Sequence, residues 1–452
     1  MIPRQRFLLF VVCCFAIVFE YLYKLNGVGA LGPDEPRYAA IGRAMALDHD
    51  WVTPKLWGSP WFEKPPLIYW MTAIGTDLGL SPDLAGRLPV AILSLAFLAS
   101  WFLLLKEEFG LAASAIATAT LGTSAAWFLW SSLCLTDVPM AAFFSLGVVL
   151  TLRLIRGDTL IRTWIGLGAA IGLAALAKGF VPLVLSAPLL WFLRRRWRQW
   201  WIALVAFLLV AGPWYFLVIH RNGSAFIDVF FFEQQFKRMY SQGLQHVQPF
   251  YFYVWIVPFA IFPWTPVLLT LKPAVIRGDR RLLCLAAVFV FGFLFFSLSL
   301  NKLFGYVLPL LPSLLVLAGV SVAQRVAWRR RPYLIGCGAL AALTPLIAPL
   351  IPILLTSKIG SLRALAIDLL PATVTMVILF VMPLAVAVFA SRALAAPLVL
   401  MCFALAVIVV KSSIYPVLDE QASPRGFWRE IAPISDEVCD AGLHRAWEYG
   451  LA

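Results

Sequence analysis

Two adjacent carboxylates, Asp34 and Glu35, open the run Asp34-Glu35-Pro36-Arg37-Tyr38, and a second charged run, Phe62-Glu63-Lys64-Pro65-Pro66, follows it. A carboxylate near its ordinary pKa is ionised at neutral pH and can take a proton from an attacking hydroxyl, so this pair could supply a general base. The same residues at a helix start are equally well read as an N-cap, worth about 0.5–2 kcal/mol. Three cations on separate segments, Lys64, Arg238 and Lys302, suit a phosphate, which accepts several charge-assisted hydrogen bonds at once. Taken singly, each also reads as a base snorkelling to a membrane boundary. Asp137 in Leu-Thr-Asp-Val-Pro and Lys178 in Ala-Lys-Gly-Phe stand at the ends of apolar runs, where they could pair with each other or with Arg37. Of the histidines, His220, His246 and His444 are too scattered to form a ligand set, and His49, between Asp48 and Asp50, reads as a solvated loop residue.

The elements that must position these groups are set by composition. Of 452 residues, 62% are hydrophobic and only 13% charged, and mean hydropathy is +0.88; soluble domains hold roughly 45–50% apolar residues. The fold class expected is an all-α polytopic membrane protein. Apolar runs of spanning length, about thirteen of them, fall at 6–26, 84–105, 111–130, 134–154, 163–177, 179–193, 200–219, 250–271, 282–300, 303–323, 332–355, 365–390 and 393–412. The first follows Arg4 and Arg6 as a signal peptide would. It is long, carries Glu20 and lacks a small-residue cleavage site, so it reads as an uncleaved span.

Alternating the spans from a cytoplasmic N-terminus puts nineteen of the 36 Lys and Arg residues inside, with only four of the 23 Asp and Glu residues. The Lys/Arg bias sets orientation, which leaves residues 27–83 and 220–249 as periplasmic loops and 413–452 as a short periplasmic C-terminal segment after a membrane domain of residues 1–412. The net charge of +13 is thereby topological and does not point to nucleic acid. Asp34, Glu35, Glu63, Lys64, Asp137, Lys178, Glu233, Arg238 and Lys302 all fall on the outer side, where they could converge on one cavity. Within the first loop, Asp34–Asp48 reads as a short helix with Pro36 in its first turn, and Leu67–Leu80 as a second. Trp51, Trp57, Trp61, Tyr69 and Trp70 suggest that both are interfacial. Six of seven cysteines lie in or beside apolar runs, and only Cys439 is in a polar one, so no disulfide framework is expected.

The chain has no Gly-rich phosphate loop, dinucleotide fingerprint or sizeable cytoplasmic domain. A transferase working on the outer face would need an activated donor already in the membrane, and a lipid phosphate carrying the group fits. A transporter or flippase for a lipid-linked sugar is the alternative. Such proteins typically show inverted repeats and midplane sites on broken helices, and neither is clear here.

Six ordered stretches carry a family resemblance: Asp34-Glu35-Pro-Arg37-Tyr38, Phe62-Glu63-Lys64-Pro65-Pro66, Thr136-Asp137-x-Pro139, Ala177-Lys178-Gly179-Phe180, the Glu233–Arg238 segment, and Asn301-Lys302-Leu303-x-x-Tyr306-x-Leu308-Pro309. Together, over residues 1–412, they resemble the polyprenyl-phosphate-dependent C-type glycosyltransferases, the protein O-mannosyltransferases and especially the bacterial lipid A aminoarabinose transferases. The resemblance implies a bacterial inner-membrane enzyme that moves a sugar by single displacement, with inversion, from a polyprenyl (undecaprenyl) phosphate donor to a lipid A, protein or other glycan acceptor. It assigns Asp34 as base, with Glu35 beside it. Lys64, Arg238, Lys302 and Tyr306 become donor-phosphate contacts, and Arg37, Tyr38, Glu63, Asp137 and Lys178 supporting residues. Loop ordering over the bound donor would exclude water.

Two departures stand out. In the aminoarabinose transferases a histidine joins the glutamate matching Glu63 in holding a metal; here the matching position is Gln235, a poor transition-metal ligand. A divalent metal is therefore left to Glu63 with His246 as a substitute. Members also carry a larger soluble domain after the last span. Ser423-Pro424-Arg425 resembles its start, so acceptor contacts made there are expected to be reduced or absent.

Overall fold

The computed structural model describes residues 3–237, 247–324, 327–347, 370–391, 394–431, 434, 442 and 445–450. Among them the regular structure is helical, apart from a two-residue ladder of Lys55–Leu56 with Ser59–Pro60 and an isolated bridge between Val247 and Asn301. Helices satisfy their backbone groups within one segment, which is what a bilayer solvent demands. By length and composition seven helical segments could cross a membrane: Pro82–Gly122, Asp137–Arg156, Ile161–Lys178, Val181–Phe232, Arg280–Leu298, Phe304–Ala323 and Ala395–Gln421. Leu8–Leu22 and Val377–Phe389 are shorter apolar helices.

In chain order, the first helices are α1 (Pro3–Leu22), α2 (Asp34–Leu47), α3 (Leu67–Asp77), α4 (Pro82–Gly122), α5 (Ala125–Trp130), α6 (Asp137–Arg156) and α7 (Ile161–Lys178). Two of the expected spans, 84–105 and 111–130, meet inside α4 at Gly110, whose φ of 80° and ψ of 170° break the helix. That backbone conformation is one only glycine adopts without strain. The expected span 250–271 is interrupted: a helix over Phe252–Ala260 gives way to a 3-10 turn over Thr265–Thr270. Pro258, Pro263 and Pro266 each remove a backbone donor there, so a continuous ladder cannot form.

The chain divides into two compact units. One comprises residues 1–40, 262–269 and 325–452, the other residues 41–261 and 270–324; α2 runs across the division. In the first unit α1 packs on the Ala395–Gln421 helix, and Ala327–Leu343 packs on Leu370–Phe389. In the second, α4, α6 and α7 pack on their sequence neighbours, and the Leu311–Ala323 helix packs on α4.

Between helices in lipid, packing and interhelical hydrogen bonds replace the hydrophobic drive. Trp101 and Trp127 are accordingly almost fully buried. Phe97 lies between them at ring distances of 5.7 and 5.1 Å, and the Trp127 indole donates to Ser94 Oγ at 2.9 Å. Such an arrangement leaves the one polar atom of a buried aromatic satisfied.

Candidate active site

The acidic end of α2 belongs to the first unit. Its sequence starts with two carboxylates, favoured by the dipole at a helix N-terminus, and the chain enters through Gly32 at φ +65°. The structure separates the two acids. Glu35 is 2% exposed, and its Oε2 accepts a hydrogen bond from the backbone N–H of Leu31 at 2.8 Å. It closes the turn that delivers α2. The Asp34 side chain stays 41% exposed, with Oδ1 held by Arg37 Nη2 at 2.5 Å. Arg37 is buried over the rings of Tyr38 and Tyr449, at 5.4 and 5.3 Å, stacking that suits a planar guanidinium. The carboxylate is oriented, and one face of it is open.

The remaining described candidates lie in the second unit. Lys64 Nζ contacts Glu63 Oε1 at 3.1 Å, both side chains being largely buried. They sit on the Pro65-Pro66 stop before α3, where Phe62 anchors the loop edge-on to Phe226 at 5.3 Å. Asp137 begins α6 and Lys178 ends α7, so an antiparallel helix pair brings them to the same end, Nζ to Oδ1 at 2.6 Å. The Lys178 ammonium also lies 4.9 Å from the centroid of the Tyr306 ring. Of the alternatives open from sequence, Asp137 thus pairs with Lys178 and Arg37 with Asp34. Thr72 of α3 lies 3.4 Å from Cys134 Sγ, just before α6, so α3 and the start of α6 share this end of the unit.

Lys302 is 4% exposed, and its ammonium donates to the carbonyls of Gln248, at 2.9 Å, and of Ser299. A lysine has three donors, so one is left for an anion. Burial holds its pKa below the ordinary lysine value. Arg238 and His246 lie outside the described residues, and so do the side chains of Glu233 and Gln235.

Several contributors escaped the sequence reading. A Cβ at Gly305 would stand 2.6 Å from Asp137 Oδ1 and 2.7 Å from Trp130 Nε1, so only glycine lets that segment approach the ion pair. Tyr253 donates to the Leu303 carbonyl at 3.0 Å and braces the Lys302 segment. Arg87, near the start of α4, is 2% exposed. A glycine set between Phe304 and Tyr306 is the one sequence signal of such a close approach.

For a metal at Glu63, the donor chemistry is unfavourable. The carboxylate is engaged with the Lys64 ammonium. Among the described residues no three His, Cys, Asp or Glu side chains gather as a site requires. A cavity of about 470 Å³ at the other end of the second unit, lined by Glu108, Phe109, Asp279 and Arg281 among others, contains none of the candidate residues.

Comparison with known proteins fixes the class. A family model described as dolichyl-phosphate-mannose-protein mannosyltransferase matches residues 63–219. The fold is that of the crystal structure of ArnT from Cupriavidus metallidurans bound to undecaprenyl phosphate, with a TM-score of 0.83 at 23% identity over 100% of this chain and 85% of that one. The chain belongs to the polyprenyl-phosphate-dependent C-type glycosyltransferases, and it is a multi-pass membrane protein.

Within that family it is 32% identical over 337 residues to the undecaprenyl phosphate-alpha-4-amino-4-deoxy-L-arabinose arabinosyl transferase of Pseudomonas aeruginosa strain UCBPP-PA14, a match over 68% of this chain and 58% of that protein. It is 34% identical over 319 residues to the corresponding transferase 1 of Sodalis glossinidius, over 66% of this chain and 56% of that one. The match spans less than two thirds of the length of these relatives.

Proposed function

We propose that this protein transfers a sugar, with inversion, from an undecaprenyl-phosphate carrier to an O–H acceptor on the periplasmic face of the bacterial inner membrane. Its N-terminus is cytoplasmic, and the chain crosses the membrane about thirteen times. The donor is a pentosyl one, 4-amino-4-deoxy-L-arabinose, in keeping with the names of the relatives. The acceptor is a glycolipid of the lipid A type rather than a protein.

The observation that carries the reading is Asp34, a carboxylate half exposed yet held at one oxygen by a buried arginine. It takes the proton of the acceptor O–H as the acceptor oxygen bonds to the anomeric carbon. The bond from that carbon to the donor phosphate oxygen breaks, and its electron pair leaves with undecaprenyl phosphate. Lys64, Arg238, Lys302 and Tyr306 stabilise the charge gathering on that phosphate, the electrostatic effect a preorganised cation set supplies. The Asp137–Lys178 pair holds Tyr306 in place from beneath its ring.

The test uses the purified protein, radiolabelled undecaprenyl-phosphate aminoarabinose and lipid A. Asp34→Asn is expected to lower transfer by about 10²–10⁴-fold and to leave donor binding nearly unchanged. Undiminished transfer removes Asp34 as the base, and absence of transfer by the unaltered protein from any polyprenyl-phosphate sugar overturns the reading.

A further inference from the structure

The chain leads from α1 to Asp34 through turns, Leu25 N–H donating to the Leu22 carbonyl and Gly27 N–H to that of Lys24, and further backbone groups here and at the end of α1 are taken up one after another by side chains from the far end of the sequence. Lys411 Nζ donates to the carbonyls of Glu20 and Tyr23, both at 3.0 Å. Tyr23 Oη and Ser412 Oγ are 2.9 Å apart. Arg425 donates through both terminal nitrogens to the Asn26 carbonyl at 3.2 Å. The N–H of Gly29 donates to Asp419 Oδ1 at 2.7 Å, and Arg425 reaches Asp419 Oδ2 at 3.5 Å.

Glu20, Tyr23, Asn26 and Gly29 are spaced by three residues, so the hold repeats along the whole approach. The packing is as close as the bonding: a Cβ on Gly29 would fall 2.0 Å from Ser423 Oγ and 3.0 Å from Arg425 Cβ. Two residues on, Leu31 N–H binds Glu35, and Asp34 follows at the head of α2. All of these residues belong to the first unit.

We infer that residues Lys411–Arg425, with Asp419 and Arg425 at their centre, are a positioning element for Asp34: they fix the Glu20–Leu31 backbone and thereby the place from which Asp34 takes the proton. The inference rests on the proposed role of Asp34 as base. The physical reason is the steepness of catalysis with distance, since a displacement of about 1 Å can cost about 10²-fold in rate. Isolated turns such as the one closed by Gly27 N–H on the Lys24 carbonyl fix only their own few residues, so holding the whole approach to that tolerance needs the side chains that grip it.

The experiment compares the full-length protein in detergent with Asp419→Ala, Asp419→Asn, Asp34→Asn and the Asp34→Asn/Asp419→Ala double variant, by kcat, KM for the donor and amide hydrogen exchange over residues 23–33. For Asp419→Ala the expectation is a fall in kcat of about 10–100-fold, KM within about threefold and faster exchange at Gly29 and Leu31. Asp419→Asn keeps an acceptor for Gly29 and recovers most of kcat. In the Asp34→Asn background the second change costs little more, because a residue acting through Asp34 has nothing left to position.

Unchanged kcat and exchange in Asp419→Ala overturn the inference while Asp34→Asn remains inactive. A full further loss in the double variant also overturns it. Full activity in Asp34→Asn instead sinks the base assignment, and with it a catalytic role for the clamp. Where Asp419→Ala is not recovered folded, Arg425→Lys loses the fork on Asn26 but keeps the charge; normal kcat and exchange in that variant overturn the inference equally.

Discussion

Asp34 and Glu35 are neighbours in sequence and opposites in environment. One is oriented by a stacked arginine and open on one face; the other is buried against a backbone N–H. A sequence shows two carboxylates of equal rank, because the turn that buries one of them depends on where Leu31 lies. Lys302 shows the same gap between residue type and residue state. Its position beside an asparagine at a span boundary was legible, whereas its inward bonds to Gln248 and Ser299 were not. Its lowered pKa has a consequence for binding. The charged form is the one that holds a phosphate, so undecaprenyl phosphate binding should weaken as pH rises through a value below the ordinary lysine pKa of about 10.4. Lys302→Arg, whose guanidinium stays charged, should flatten that profile in a binding titration from neutral to alkaline pH. The sign for stability is opposite: the folded state sheds this proton before the unfolded state does, so the contribution of Lys302 to stability rises with pH between the two values.

At the scale of elements, the join of α6, α7 and the 3-10 turn over Phe304–Leu310 is held by one ion pair and one glycine. Removing one partner of a buried pair leaves a charge unanswered. Asp137→Asn or Lys178→Met should therefore destabilise the protein by about 3 kcal/mol in a reversible unfolding titration, and the double variant by less than the sum. If the two single changes simply add, the pair is not coupled as described. Gly305→Ala should act through the same place from the other side. Its methyl group would press on Asp137 and Trp130, and the unfolding midpoint should drop although no charge is lost. Hydropathy and the Lys/Arg bias place Asp137 and Lys178 at the same ends of α6 and α7, but neither says how closely the two helices pack there, so the partner of Asp137 stayed open between Lys178 and Arg37.

For the molecule as a whole, the apolar pattern defines a polytopic chain, and the lysine and arginine bias is what predicts its direction. Orientation follows as a prediction. In a cysteine-free background, Asp48→Cys should react with a membrane-impermeant maleimide added to intact cells with a permeabilised outer membrane, and Arg195→Cys only after lysis. The reverse labelling would invert the topology and with it the face on which transfer takes place. On the Arg195 side, Glu107, Glu108 and Asp279 each pair with an arginine. Glu108, with no side-chain exposure, meets Arg156 at 3.2 Å and Arg281 at 3.1 Å. Glu108 thus sits at the centre of an arginine network beside the Gly110 turn.

The sequence by itself determined the class of fold, the order of the apolar helices and the identity of the charged groups able to do chemistry, because hydropathy and residue type act locally and are written in order along the chain. It also carried the family, through six stretches whose order and composition are local facts. Only the tertiary structure decided which charge answers which: Arg37 with Asp34, Lys178 with Asp137, Lys64 with Glu63, and Asp419 and Arg425 with the approach to Asp34. The last of these joins groups almost four hundred residues apart. Such pairings depend on how helices pack in three dimensions, and spacing along the sequence carries no record of that.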